Sequence, residues 1–301
     1  MKQKRILSVQ DISCFGKCAN TVALPVISAG GAECAVLPTA LLSTHTGGFE
    51  GYSFLDLTAE MHKVLAHWQA IGIQFDMLYT GYFGSVEQLT AVKDAAPALL
   101  RDGAITLVDP VLGDGGKLYS IYDSAFVDAM RDFVSGADII TPNMTEACLL
   151  ADIPYAGDAY DDAAVKEIFS RLAGLHIGTV VITGVRFCAA DADEIGVVVM
   201  DYKTNKRMSL SSPRIDAPLH GTGDVFASAL AVYLVNGFPL RDALTRTIAF
   251  VTDAIKMTSD DLDNHWYGVR FEESLHRIAE DCLKRRMENA VIRPEKKEKR
   301  V

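Results

Sequence analysis

The chain has 301 residues, with 29 Lys or Arg against 39 Asp or Glu and a formal net charge of −10. Hydrophobic residues make up 49% and charged residues 23%, enough apolar surface for a large core and too little polar excess for a disordered chain. An acidic balance spread along the whole length argues against nucleic acid or an anionic membrane as the main partner, because both require a basic face.

Met1 to Arg5 is basic, but the apolar stretch behind it breaks at Gln10 and Asp11, too early for a signal peptide. No later run reaches the length of a membrane span, so a soluble, cytoplasmic protein is expected. The six cysteines, at 14, 18, 34, 148, 188 and 282, show no C-x-x-C pair and no paired His spacing, which also fits a reducing compartment. Apolar, β-branched runs without polar alternation predict strands buried on both faces at Arg5–Val9, Glu33–Leu37, Asp76–Thr80, Ile105–Asp109, Asp138–Thr141 and Thr179–Thr183. Helical spacing fills the gaps. Asp56–Ile71 places Leu57, Met61, Val64, Leu65 and Trp68 on one face, Ser85 is an N-cap for Val86–Leu100 with Pro97 as a bend, and another helix covers Asp161–Leu172.

Near Ile195 the period changes to that of a β-hairpin, Ile195–Met200 and Arg207–Leu210, joined by the polar turn Tyr202–Lys206. Three helical segments follow, Gly221–Asn236, Leu240–Met257 and Phe271–Met287, which should pack on one side of the sheet. The polar, glycine-rich segment Ser43–Ser53 is expected to project as a flap. With no repeat, linker or composition break, the expectation is one α/β domain over residues 1–287: a doubly wound, mostly parallel sheet with helices on both faces and a small β-hairpin addition. Residues 288–301 then form a charged tail, whose basic run Arg293–Arg300 reads as solvated.

The stretch His220-Gly221-Thr222-Gly223-Asp224 stands at the start of the apolar helix that follows. Two glycines let the backbone approach closely, and the unpaired N–H groups of a first helical turn suit a phosphate or a developing oxyanion. Asp224 is either a favourable cap or, beside a phosphate, a general base for an attacking hydroxyl. A dinucleotide fingerprint would need a third glycine where Phe226 stands, and no G-x-x-x-x-G-K-[ST] is present. Asp109-Pro110-Val111-Leu112-Gly113-Asp114 leaves a buried strand at the carboxyl edge of the sheet, and Asn143-Met144-Thr145-Glu146 leaves the next one. Carboxylates brought to one edge suit a hydrated Mg²⁺, while Glu146 equally reads as part of a helix cap behind Thr141-Pro142-Asn143.

In order, Ser8-Val9-Gln10, His45-Thr46-Gly47, Thr80-Gly81-Tyr82, the Asp109–Asp114 run, Thr141–Glu146, Ile182-Thr183-Gly184 and Gly221–Asp224 resemble the pyridoxal kinase family of the ribokinase-like superfamily. The likeness runs colinearly from about Lys4 to Met257. It implies a ribokinase-like fold and ATP-dependent phosphorylation of the hydroxymethyl group of a vitamin B6 compound. In that picture Asp224 is the base and Gly221, Thr222 and Gly223 form the anion hole. Asp109 and Glu146 serve the Mg²⁺ and phosphate region, and Asp114, Thr141, Asn143, Thr183 and Gly184 line the nucleotide side. Asp11, Thr46 and Tyr82 lie around the substrate ring. The resemblance also implies a homodimer, and it leaves a requirement for K⁺ open.

Asp11 departs from the family's usual Ser. An ionised Asp only accepts, so it favours a protonated pyridinium or an exocyclic amine, unless it merely caps the following turn. His220 replaces a Cys found in some dual-specificity relatives. His45 is either a ligand contact or a side chain holding its own loop, and Tyr82 either meets the ring or packs in the core. Lys17 and Lys117 are unassigned, because exposed lysines are common. The nearest rival activity is hydroxymethylpyrimidine kinase, ahead of a sugar or nucleoside kinase. A non-catalytic nucleotide- or vitamin-binding protein is the rival from another class.

Overall fold

The computed structural model describes residues 2–189, 192–217 and 219–292, so the basic run Arg293–Arg300 lies outside the described residues. The strands are β1 (Arg5–Phe15), β2 (Glu33–Thr44), β3 (Phe54–Asp56), β4 (Phe75–Thr80), β5 (Leu100–Val108), β6 (Gly113–Asp114), β7 (Lys117–Leu118), β8 (Ile139–Ile140), β9 (Thr179–Ala189), β10 (Ala192–Asp201) and β11 (Lys206–Pro213). The helices are α1 (Asn20–Ala29), α2 (Thr58–Ala70), α3 (Val86–Leu99), α4 (Ser124–Val134), α5 (Met144–Ala151), α6 (Asp162–Leu172), α7 (Thr222–Val235), α8 (Leu240–Ser259), α9 (Leu262–His265) and α10 (Leu275–Ile292).

Nine strands form one sheet in the order β11-β10-β9-β8-β5-β4-β1-β2-β3, and β6 pairs separately with β7. The pairings from β9 through β2 are parallel, and the antiparallel pairs lie at the two edges. Successive side chains of a strand point to opposite faces, which explains the unbroken apolar runs. Leu7, Leu78, Val108, Ile140 and Ile182 enter the layer beneath α2 to α6. Their neighbours Ile6, Met77, Tyr79, Leu107, Ile139 and Val181 enter the layer beneath α1, α7, α8 and α10. The three C-terminal helical segments therefore share one face, as their composition suggested. Every position from Val225 to Tyr233 in α7 is buried, because this helix lies between the sheet and its neighbouring helices.

Several boundaries differ from the sequence expectation. β1 continues past Val9 through Gln10 and Asp11, because these polar residues are themselves buried, at 0% and 8% exposure. β2 runs on to Thr44 and turns back into β3, so the flap is the tip of an edge hairpin, residues 45–53. β3 takes Asp56 out of the expected helix, and Asp56 Oδ1 instead accepts the Thr58 N–H at 2.8 Å. The last helix extends five residues beyond Met287, to Ile292. The C-terminal hairpin forms as β10 and β11.

Two consequences position the site. The chain leaves β1 toward β2 on one side and resumes at β4 on the other, which opens a crevice beyond the carboxyl ends of β1 and β4. The N-terminus of α7 opens at the same edge. Among the described residues no helix is long and apolar enough to cross a membrane.

Candidate active site

Gly221 has φ +78°, and a Cβ there would lie 2.4 Å from the Lys17 carbonyl oxygen and 3.4 Å from Cys18 Sγ. Only glycine combines that backbone conformation with so close an approach. α7 begins at the next residue, and its first-turn amides have no intrahelical acceptor. A Cβ on Gly223 would meet nothing within 4 Å, so the helix tip is open to a ligand. Asp224, on the first turn, has its carboxyl pushed up to about 7, first by burial and then by the nearby charge of Asp11. The Ala19 N–H, its own N–H and the Cys18 thiol oppose this by favouring the ionised form.

Asp109 and Glu146 are 9% and 4% exposed. Glu146 completes a capping box with Asn143: its N–H donates to Asn143 Oδ1 and its Oε2 accepts the Asn143 N–H, both at 2.9 Å. Its Oε1 accepts the Leu112 N–H at 3.1 Å. The helix-cap alternative for Glu146 is therefore realised, and the same carboxylate ties the Asp109–Asp114 loop to α5. Asn143 Nδ2 donates to the Gly113 carbonyl at 2.8 Å, and the Gly116 N–H donates to Thr145 Oγ1 at 2.9 Å. The Asp109 carboxyl is pushed well above its ordinary range by burial first, then by the charges of Glu146 and Asp224. Glu146 is raised too, chiefly by burial.

Asp109, Glu146 and Asp224 thus share one electrostatic environment, and among the described residues none of them forms an ion pair. Such a cluster of hard oxygens fits Mg²⁺ in its hydrated form. Both Glu146 oxygens already accept an amide, and among the described residues no group of three or more His, Cys, Asp or Glu is arranged to hold a metal. The fit is to an ion that arrives with phosphates and keeps its waters.

The residues expected on the nucleotide side lie along the same edge. The Thr141 N–H donates to the Val108 carbonyl at 3.0 Å, the Thr183 N–H to the Pro142 carbonyl at 2.8 Å, and Asn143 pairs with Thr183 in an isolated bridge. Gly184 has φ +68° and open space beside it. Asp114 is exposed on β6, where its Oδ1 accepts the Gly115 N–H.

On the other side, Ser13 Oγ donates to Asp11 Oδ2 at 2.8 Å, and burial pushes the Asp11 carboxyl up to about 6. The half-buried Tyr82 phenol is pushed up to about 12 by burial, then by the charges of Asp11 and Asp56. Its ring also packs against the core layer, as the core alternative for Tyr82 expected. Thr46 is exposed on the flap. His45 is the buried one: Nδ1 accepts the Gly47 N–H at 3.1 Å, which leaves Nε2–H to donate to the Tyr267 carbonyl at 2.6 Å. Burial lowers its pKa, so the imidazole is neutral and holds its loop.

Two parts escaped the sequence reading. One is the aromatic platform Trp266–Tyr267, on which Phe49 of the flap packs with centroids 4.7 Å and 6.4 Å away. The other is the Gly16–Ala19 segment against Gly221. The adjacent aromatic pair was a visible signal for the first; nothing in residue type marked the second. Lys17 is committed to Glu272 at 2.7 Å.

The family model described as phosphomethylpyrimidine kinase matches residues 24–268, which includes every strand from β2 to β11 and the helix tip with Asp224. The chain belongs to that family. Pyridoxal kinase PdxY of Corynebacterium diphtheriae is 28% identical over 258 residues, 84% of this chain and 89% of that protein. The crystal structure of pyridoxal kinase from Lactobacillus plantarum superposes with TM-score 0.83 at 33% identity, covering 92% of this chain and 97% of that one. A Bacteroides thetaiotaomicron VPI-5482 structure carrying the phosphomethylpyrimidine kinase name, in an orthorhombic form with pyridoxal, gives TM-score 0.85 at 36% identity over 92% and 96% of the two chains.

The tightness at Gly221 is open to test. Gly221→Ala should destabilise the fold by about 1–2 kcal/mol from the left-handed backbone alone, with the approach to the Lys17 carbonyl adding to it. Urea denaturation reads the loss, and unchanged stability would mean that the segment does not press on the glycine.

Proposed function

We propose that this family member transfers the γ-phosphoryl group of ATP to the 5′-hydroxymethyl group of a vitamin B6 compound, with Asp224 as the general base. The observation that supports it most is the juxtaposition at the tip of α7, where open first-turn amides and a carboxyl pushed up to about 7 lie in one electrostatic environment with Asp109 and Glu146. The transferring phosphoryl group is received by the amides of Gly221, Thr222 and Gly223, and the substrate alcohol faces it in line. Asp224 takes the proton of that alcohol as its oxygen attacks phosphorus, and ADP leaves with the electron pair of the broken bond. Mg²⁺, when bound, supplies charge neutralisation between phosphates and carboxylates. Asp109 and Glu146 would hold it, while Asp114, Thr141, Asn143, Thr183 and Gly184 would line the nucleotide. No separate K⁺ site is assigned. The flap covers the ring and keeps water from competing with the alcohol.

Asp11, Tyr82 and Thr46 form the ring side. A buried carboxylate with a single side-chain donor and no ion-pair partner among the described residues suits a substrate carrying its own positive nitrogen. That observation also favours a second reading, hydroxymethylpyrimidine as the acceptor, because its exocyclic amine offers the same donor. The unit is one kinase domain that runs through the end of α10 at Ile292, five residues past the boundary expected at 287. A cytoplasmic location suits its five described free cysteines. A homodimer suits the edge hairpin, where Leu41 and Leu55 pair across β2 and β3 and are 38% and 56% exposed.

The ionised form of Asp224 is the base, so kcat/KM should rise with pH through about 7. Asp224→Asn should lower kcat at least ~100-fold with ATP affinity retained, as measured by coupled ADP release and calorimetry; normal turnover removes the base. A panel of pyridoxal, pyridoxine, pyridoxamine and hydroxymethylpyrimidine should give turnover with the B6 compounds, and turnover with hydroxymethylpyrimidine alone overturns the assignment. Asp11→Ser should reduce the preference for pyridoxamine over pyridoxal by about tenfold, and should move the acid limb of the profile to lower pH by removing a charge beside Asp224. In sedimentation velocity the protein should run as a dimer and Leu55→Asp as a monomer; a monomeric wild type ends the pairing proposal.

A further inference from the structure

The segment joining β1 to α1 has an unusual backbone for its composition. Gly16, Lys17 and Ala19 all have positive φ, at 119°, 57° and 52°, and two of the three carry a Cβ. Such a conformation costs roughly 1–2 kcal/mol per non-glycine residue and persists only where its surroundings enforce it. They do so from several sides. A Cβ on Gly16 would lie 2.2 Å from the His45 ring, and one on Gly268 would lie 2.7 Å from the Gly16 carbonyl oxygen. The Lys17 ammonium pairs with Glu272, and the Lys17 carbonyl presses on Gly221.

The anchor is a buried polar chain for which phosphoryl transfer itself has no use. Gln10 Nε2 donates to Ser8 Oγ at 2.9 Å, Ser8 Oγ donates to Asn20 Oδ1 at 2.8 Å, and Asn20 Nδ2 donates to the Gln10 carbonyl at 2.6 Å. The three residues are 0%, 0% and 4% exposed. This ring of bonds fixes the residue directly after Ala19 to the strand position directly before Asp11. It therefore sets where the elbow abuts the tip of α7, three residues before Asp224, where a Cβ on Gly221 would lie 2.4 Å from the Lys17 carbonyl oxygen and 3.4 Å from Cys18 Sγ.

We propose that Asn20, held by Ser8 and Gln10, is a positioning residue for Asp224: it keeps the strained Gly16–Ala19 elbow packed against Gly221 at the tip of α7, and so fixes the surroundings of the carboxylate on that first turn. The inference rests on Asp224 being the base. Other titratable groups facing Asp224 are Asp11 on β1, Cys18 in the elbow, Tyr79 on β4, Asp109 after β5 and Tyr119 after β7. Neither variant below removes any of them, so a moved acid limb reports the elbow.

Losing a donor to the ionised form raises its pKa. In Asn20→Ala the acid limb of kcat/KM should therefore move up by about one pH unit. The variant should be about fivefold slower than wild type at pH 7 and nearly equal to it at pH 9. Ser8→Ala keeps the Asn20–Gln10 bond and should show a smaller shift in the same direction; it decides the question if Asn20→Ala does not fold, as read by thermal unfolding. A folded variant whose activity drops equally at both pH values, with the limb unmoved, overturns the positioning role. Asp224→Asn separates the two ideas: if it turns over normally the base reading fails, whereas an inactive Asp224→Asn with an unmoved limb in Asn20→Ala removes only this inference.

Discussion

The fold gathers carboxylates at one edge of a parallel sheet, and among the described residues none of them is paired with a protein cation. Asp11, Asp109, Glu146 and Asp224 are pushed upward, in each case first by burial. The opposite edge of the same sheet behaves differently. Asp76, near the start of β4, pairs with Lys4 at 2.9 Å and Arg101 at 2.5 Å, and despite burial these partners hold its carboxyl below the ordinary range. The sheet thus carries a neutralised acid at its amino edge and unneutralised ones at its carboxyl edge. An uncompensated cluster of this kind costs folding free energy unless something else supplies positive charge. On the proposed reading the missing charge comes with the ligands, as a metal ion among phosphates and a cationic nitrogen near Asp11.

Helix capping and chemistry are not alternatives at this site. Glu146 accepts amides from Asn143 and Leu112, and Asn143 accepts the Glu146 amide while donating to Gly113. The bonds that start α5 therefore also fix the path of the Asp109–Asp114 loop. A carboxylate so held points its remaining lone pairs in a fixed direction, which is what a hydrated ion requires of an outer ligand.

The parallel strands were legible because a strand buried on both faces writes an uninterrupted apolar run, as at Asp76–Thr80 and Thr179–Thr183. The helix tip at Gly221–Asp224 was legible because paired glycines at a helix start leave bare amides that suit an anion, with an acid set beside them. The sequence marks the end of β1 at Val9 because Gln10 and Asp11 look like a strand's end, whereas inside the protein the Gln10 carbonyl accepts the Asn20 amide and the Asp11 carboxylate accepts the Ser13 hydroxyl. β3 has three residues, all exposed, and no periodicity from which to predict it. The elbow against Gly221 depends on contacts between residues more than 200 positions apart, which no local pattern encodes.

On the proposed reading the flap raises a different question, because a lid that excludes water must also admit the substrate. Its closed position depends on glycine: a Cβ on Gly47 would lie 2.7 Å from the His220 ring, and one on Gly48 would lie 2.9 Å from Trp266. What holds it is modest, chiefly the bond from His45 to the Tyr267 carbonyl and the packing of Phe49 on Trp266. A net hydrogen bond contributes about 0.5–1.5 kcal/mol and an aromatic pair about as much. Together they would favour the closed form by about 1–3 kcal/mol, so an open form would hold between about one in six and about one in 160 molecules. That range is wide enough for entry and narrow enough for protection. Because His45 is neutral and buried, its Nδ1 is free to accept the Gly47 amide, and the turn at the base of the flap is tied to the uncharged imidazole.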